Sequence, residues 1–359
     1  MNAITVVVLI FAILGALDKM FGDRFGLGKE FERGFSLFTS MVLYMLGMLV
    51  LAPAIGVWLA PVFGGFYELF GLDPSVIPAS LFANDMGGMT LAQSVCKSEA
   101  IGNYNAFIVA SMMGCVISFT IPLAVGVVKK EQHKELFFGL LCGIVTIPVG
   151  CFVSGLLCGL SVLETLLNLL PLLILSGIIV VGLILAPAMC IKIFSVFGKF
   201  IRIVALTGLI FAIFTFLTKT TICEDFDTLE NASFICINAC ITLSGALPLM
   251  YLVTKLLGKR LEKLGQRIGI NSDSAVGFLS TIVTNVPTFG NMEKMNKRGT
   301  VLNSAFAVSA AFTFGGHLAL TMAYNSDYVM PMIIGKIIAG ICAVVLALVL
   351  YKDKANKSA

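Results

Sequence analysis

Pro78-Ala-Ser-Leu-Phe-Ala-Asn84-Asp85-Met-Gly87-Gly88-Met-Thr90 decides how the rest of the chain is read. The stretch is nearly as apolar as a membrane span, yet it carries an acid, an amide and a Gly-Gly hinge. A second, altered copy follows about 200 residues later: Gly277-Phe-Leu-Ser-Thr281-Ile-Val-Thr284-Asn285-Val-Pro287-Thr288-Phe-Gly290. Helix-breaking residues at matching places in two halves of an apolar chain mark the binding site of many transporters.

The surrounding composition makes this a membrane protein. Of 359 residues, 58% are hydrophobic and 12% charged, with a mean hydropathy of +1.00. Soluble domains carry roughly 25% charged residues. The net charge of +4 is no sign of a nucleic-acid partner, because the basic residues are sorted by loop. Ten cysteines and two histidines form no C-x-x-C or other metal spacing, so neither a disulfide framework nor a cofactor is expected. The apolar run from Met1 to Leu17 has no basic residue before it, and Lys19, Arg24, Lys29 and Arg33 follow it. It reads as a retained first span and not as a signal peptide.

A span needs about 20 apolar residues. Candidates are 2–17, 35–58, 102–127, 135–160, 165–190, 194–218, 232–256, 301–325 and 329–351. The windows 74–92 and 275–292 remain, short and interrupted by Gly, Pro, Asn or Asp. Both are expected to enter the bilayer and return to the same side, since irregular backbone at that depth is tolerated only within protein or beside water. Charge supports this. With two re-entrant segments, nearly all of the 24 Lys and Arg fall on one side, in 18–34, 128–134, 191–202, 255–273, 293–300 and the C-terminus. Only Lys97 and Lys219 fall on the other, and Lys336 lies inside a span. Full crossing by both segments would erase the asymmetry. Cytoplasmic loops carry the Lys/Arg excess, which puts the N-terminus outside and the C-terminus inside. Leu59 to Asp73 and the acidic stretch Glu224-Asp225-Phe-Asp227 are then external.

An internal repeat fits the same plan. Asn105-Ala-Phe-Ile-Val-Ala-Ser111 resembles Asn303-Ser-Ala-Phe-Ala-Val-Ser309, and Gly71 pairs with Gly269 at the same offset. The fold class expected is therefore an all-α polytopic membrane protein: about nine transmembrane helices plus two re-entrant hairpins in an inverted repeat. Residues 1–160 form the first half with hairpin 74–92, 161–193 a linking span, 194–351 the second half with hairpin 275–292, and 352–359 a cytoplasmic tail.

Asp85 is the one acidic residue that this topology sets deep in the membrane, where a carboxylate is costly and tends to be functional. It suits a monovalent cation. It could instead cap a half-helix beginning at Met86. Asn84 and Asn285 hold equivalent places and can each donate and accept, either to a ligand or to unwound backbone. Gly87, Gly88 and Gly290 permit close backbone approach or a plain turn. Thr284 and Thr288 complete the candidate binding set of Asn84, Asp85, Gly87, Gly88, Thr284, Asn285 and Thr288. His317 could titrate near neutrality, but such a residue is more often a satisfied interior group. Lys336 is expected to snorkel to the outer interface. Trp58, the single tryptophan, suits an interfacial belt better than a cation-binding face. No nucleophile–base pair, phosphate loop or metal set argues for an enzyme.

Asn84-Asp85-Met-Gly-Gly, then Ser111-Met-Met-Gly114 and Ile121-Pro122, then Gly143-Ile-Val-Thr146-Ile-Pro148-Val-Gly150-Cys, resemble the ethanolamine-utilisation membrane proteins, the EutH-type permeases. The likeness covers nearly the whole chain, including Leu17-Asp18-Lys19, although the loop 18–34 is shorter than that family leads one to expect. It implies a multi-pass protein of the bacterial plasma membrane that passes ethanolamine to cytosolic degrading enzymes. It supplies no binding residues, so the site above comes from the sequence alone. Expected partners are ethanolamine and membrane lipid, with homo-oligomerisation left open. Two alternatives stand beside a permease: a membrane scaffold or sensor using the basic stretch 255–267 as its handle, and a secondary transporter of another small amine.

Overall fold

The structure is a computed structural model and describes residues 3–352. Residues 353–359 of the expected tail lie outside the described residues. The described chain is helical without a strand. Its principal helices are α1 (Ala3–Met20), α2 (Leu27–Ser36), α3 (Gly47–Phe70), α4 (Val76–Leu81), α5 (Gly88–Val95), α6 (Glu99–Val127), α7 (His133–Leu157), α8 (Val162–Leu185), α9 (Pro187–Thr218), α10 (Leu229–Arg267), α11 (Ser272–Val283), α12 (Val286–Gly290), α13 (Lys297–Ala310), α14 (Gly316–Tyr324) and α15 (Val329–Leu350). Eight of the described helices are long and apolar enough to cross a membrane: α1, α3, α6 to α10 and α15.

The centre of the molecule is α7 packed against α13 and α15, with α6 alongside. Every residue of α13 from Gly299 to Ala310 is buried, as is every residue of α6 from Asn105 to Gly114. In membranes, helices associate through small residues and interhelical hydrogen bonds, because lipid is as apolar as the side chains. That is the pattern here. A Cβ on Gly150 of α7 would sit 2.4 Å from the Gly335 carbonyl of α15. Ser154 Oγ donates to Pro331 O at 2.8 Å, and Thr146 Oγ1 to Ala339 O at 3.1 Å. The outer helices α8 and α9 instead turn rows of Leu, Ile and Phe outward, as a lipid-facing surface requires.

Two short broken segments interrupt this scaffold. In the first, α4 stops at Leu81, the chain unwinds and turns through Asn84–Met86, and α5 begins at Gly88. In the second, α11 stops at Val283 and α12 begins at Val286. The two ends of each segment meet. Asp73 Oδ2 accepts from Lys97 N and Ser98 N, both at 2.9 Å. Asn271 Nδ2 donates to Lys294 O at 2.7 Å, and Asn296 Nδ2 to Gly269 O at 2.8 Å.

Several expectations need correction. The window 301–325 is not one helix: α13 and α14 are separated by 311–315. Phe312 there has φ +62, and the unwound backbone bonds to the end of α11, with Phe312 N to Thr281 O at 3.2 Å and Phe314 N to Ile282 O at 2.9 Å. The window is apolar enough to read as one span, and Gly315-Gly316 is the only local mark of the break. Leu59 to Phe70 continues α3, ending where Gly71 adopts φ +64 and its N–H bonds Tyr67 O. The segments 191–202 and 255–267 are helical extensions of α9 and α10 and not loops.

Candidate functional site

Three breaks surround one cavity of about 390 Å³. The first contributes Asp85 and Met86, the second Val283, Thr284 and Val286, and the third Phe312, Gly315, Gly316 and His317. Met41, Met45, Phe119, Leu243 and Leu247 give it an apolar lining, and Arg33 reaches it from α2. The Arg33 guanidinium pairs with Glu30 at 3.2 Å. A second cavity of about 210 Å³ shares Arg33, Leu247, Val283 and Thr284 with the first and continues past Tyr251 and Thr254 of α10.

Backbone geometry fixes Asp85. Met86 N and Gly88 N both bond Ala83 O at 2.9 Å, and Ala83 N is held by Ser118 Oγ at 3.0 Å. Gly87 takes φ +90, a conformation that favours glycine. Gly88 and Gly114 enclose the turn from two sides: a Cβ on either would fall within about 2 Å of Phe82 O. Asp85 does not cap the following helix. α5 begins at Gly88 with Gly87 before it, and no side chain caps it. The carboxylate, a third exposed, opens on the cavity.

The remaining expected residues divide. Thr284 lies on the cavity wall in extended backbone. Asn84 and Asn285 are fully buried and are absent from the wall itself. Asn84 Oδ1 accepts from Asp85 N at 2.9 Å while its Nδ2 has no partner. Asn285 Nδ2 donates to Thr120 Oγ1 at 3.2 Å while its Oδ1 has none. Thr288 is spent on structure, bonded to Thr281 Oγ1 at 2.8 Å and Gly277 O at 3.0 Å. Trp58 lies outside the cavity and packs edge-on against Phe226.

Sequence reasoning set aside the two most informative residues. Lys336 does not snorkel: it is 1% exposed and points inward. Its Nζ donates to Ser111 O at 2.5 Å and lies 3.1 Å from His317 Nδ1. An ammonium only donates, so Nδ1 accepts and the ring N–H belongs on Nε2. Nε2 has no hydrogen-bond partner and faces Asp85 Oδ1 at 4.0 Å. Asp85, His317 and Lys336 thus form one line from the cavity into α15, open at Asp85 and buried at His317 and Lys336. The available signals were Gly315-Gly316 directly before His317, and the cost of a lysine in a span, which equals that of the acid. Among the described residues no group of acidic, His or Cys side chains could hold a metal ion.

The family described as "Ethanolamine utilisation protein, EutH" matches residues 1–350. A protein of Listeria monocytogenes (serotype 1/2a, strain 10403S) named "Probable ethanolamine permease EutH" is 40% identical over 349 residues, covering 97% of this chain and 94% of its own. Its namesake in Salmonella typhimurium is 34% identical over 389 residues, covering 97% and 95%. "Uncharacterized protein YxeR" of Bacillus subtilis (strain 168) is 33% identical, covering 96% and 94%. No solved structure is significantly similar. The chain belongs to the EutH family of ethanolamine utilisation proteins.

Proposed function

We propose that the chain is a permease that moves ethanolamine across the bacterial plasma membrane, with Asp85 pairing to the substrate's ammonium. The observation that carries this is a lone carboxylate, open to an apolar cavity where broken helices meet. A cation entering such a cavity loses water and needs a fixed opposite charge in return. Thr284 on the wall is the group for the hydroxyl, and the unpartnered Asn84 Nδ2 and Asn285 Oδ1 would join it only if the buried amides turn toward the cavity. Gly87 and Gly88 let the backbone approach. The names of the relatives agree with this substrate.

The halves 1–160 and 194–351, joined by the span in 161–193, are read as an inverted repeat. The bonded ends of the segments 74–92 and 275–292 favour re-entrant hairpins at opposite faces, with the N-terminus outside and the C-terminus cytoplasmic. On this orientation the second cavity leads toward the cytoplasm along α10, so the site stands open inward. The chain works as a transporter and not as an enzyme.

Uptake of labelled ethanolamine into proteoliposomes holding the purified protein tests the proposal. Protein-dependent flux, competed by ethanolamine more strongly than by ethylamine, is expected. A site that bonds a hydroxyl rejects the analogue lacking it, because its polar groups are left unpaired. No protein-dependent flux would leave a scaffold or sensor as the role.

A further inference from the structure

We infer that Lys336 is the resident counter-cation of Asp85 and gives up one proton, through His317, each time a substrate ammonium takes its place. The inference rests on the permease reading and adds what that reading leaves open: transport exchanges an ammonium for a proton and moves no net charge.

The geometry supplies each part. Lys336 is fully enclosed, and no acidic side chain pairs with it directly. Its compensation comes from Ser111 O and from His317, whose far nitrogen faces Asp85. Its other titratable neighbours are the Cys115 and Cys151 thiols. Across the cavity, the Arg33 charge is already met by Glu30. The line therefore holds one negative and one positive charge while the site is empty. An arriving ammonium would make two positives against one carboxylate in an apolar enclosure. Uncompensated charge there costs several kcal/mol, and loss of one proton restores the balance.

The route is continuous. Lys336 Nζ passes a proton to His317 Nδ1. His317 Nε2 passes its own to Asp85 Oδ1, and Asp85 passes it to water in the cavity. Lys336 ends neutral, His317 ends with its proton on Nδ1, and Asp85 is unchanged as a carboxylate facing the ammonium. When the substrate leaves on the other side, a proton returns by the same steps in reverse, which also resets the imidazole tautomer. The 4.0 Å gap between His317 and Asp85 closes by a small side-chain movement or by one bridging water.

The test uses the full-length protein in potassium-loaded proteoliposomes, with valinomycin setting the membrane potential and equal pH on both sides. One net charge moved across 100 mV is worth about 2.3 kcal/mol, roughly a 45-fold accumulation. Wild type is expected to accumulate no labelled ethanolamine in response to potential, and to accumulate it faster than protein-free liposomes when the interior is made acidic. Lys336→Gln, which keeps a donor for Ser111 O but carries no exchangeable charge, is expected to move the ammonium alone and so to respond to potential. Should that variant fail to insert, His317→Gln takes its place with a different readout: it cuts the relay and leaves Lys336 charged beside the arriving ammonium, so flux under either gradient is expected to fall, and wild-type flux in it would overturn the inference. Potential-driven accumulation by wild type would overturn the inference while leaving the permease intact. Potential-independent flux in Lys336→Gln would also overturn it, because the proton would then travel elsewhere. Absence of any wild-type flux would remove both readings together.

Discussion

Asn105 and Asn303 perform the same task at the two broken segments. Each is fully buried on the helix that follows its segment. Asn105 Nδ2 donates to Ser75 Oγ at 2.8 Å, one residue before α4. Asn303 Nδ2 donates to Ser274 O at 2.9 Å, in the first turn of α11. The two asparagines open the matching sequences Asn105–Ser111 and Asn303–Ser309. The likeness in sequence is accompanied by a likeness in what these two amides tie down, which supports the proposed repeat.

Removing either amide should loosen the segment that it ties. Asn303 Nδ2 also bonds Gly299 O at 3.0 Å, so Asn303→Ala leaves two carbonyls short of a donor. Asn105→Ala additionally breaks the reciprocal bonds with Asn168 of α8, at 3.0 and 2.7 Å. An unmet buried polar group costs about 1–3 kcal/mol. A lower thermal midpoint in detergent is expected for both variants, and an unchanged midpoint would deny these amides a structural role.

Backbone contact separates two glycines that the sequence treats alike. Gly88→Ala places a methyl about 2 Å from Phe82 O, inside the turn that sets Asp85. Nothing lies within 4 Å of the corresponding position at Gly290. Gly88→Ala should lower ethanolamine flux by roughly 5- to 150-fold, because an overpacked backbone shift of about 1–3 kcal/mol falls directly on the site. Gly290→Ala should stay within about 0.5 kcal/mol of wild type in stability and transport normally. Equal behaviour of the two in proteoliposomes would contradict this account.

The proposed arrangement, with re-entrant hairpins at opposite faces, predicts opposed labelling. Lys97 and Lys297 are exposed beside the joined ends of the two segments. Cysteine placed at each, in a cysteine-reduced background, should react with an impermeant reagent in intact cells at 97 and only after permeabilisation at 297. Reaction of both in intact cells would refute the inverted arrangement.

Much of this was legible because membrane insertion writes itself into composition. Helix spans, the asymmetry of Lys and Arg, and the Gly-Gly and Pro interruptions at 87–88 and 287 are local facts. Asp85 was readable for the same reason, since a single carboxylate in hydrocarbon stands out. Three things were hidden. The break at 311–315 sits in an apolar run, and its backbone is satisfied by α11, a partner that hydropathy cannot reveal. Leu59–Phe70 looked external because the bilayer needs only about 20 residues, yet nothing before Gly71 stops the helix. His317 and Lys336 each have an ordinary explanation when taken singly in the sequence. Their significance is their alignment with Asp85, which brings residues 85, 317 and 336 together from three elements and exists only in the folded chain.

The last prediction concerns Asp85 itself. A carboxylate in a broken helix has two rival roles, holding the helix start and holding a cation. Here α5 starts at Gly88 without a side-chain cap, so the first role is not exercised. Asp85→Asn keeps the size of the side chain and removes the charge. The variant should insert and keep the turn, because the backbone bonds of Ala83 that form it are untouched, with a thermal midpoint lowered only by the loss of the counter-charge to Lys336. Its affinity for ethanolamine should collapse. Loss of a buried charge partner costs about 2–5 kcal/mol, which is roughly a 30- to several-thousand-fold weakening at 1.4 kcal/mol per decade. Asp85→Glu should fall between, with the charge retained but displaced against His317. Flux should be measured at limiting ethanolamine and at a pH where nearly all of it is protonated, because the neutral amine crosses lipid unaided and would mask the defect. A well-folded Asp85→Asn protein with wild-type affinity and rate would remove the ammonium from Asp85 and with it the centre of the proposed site.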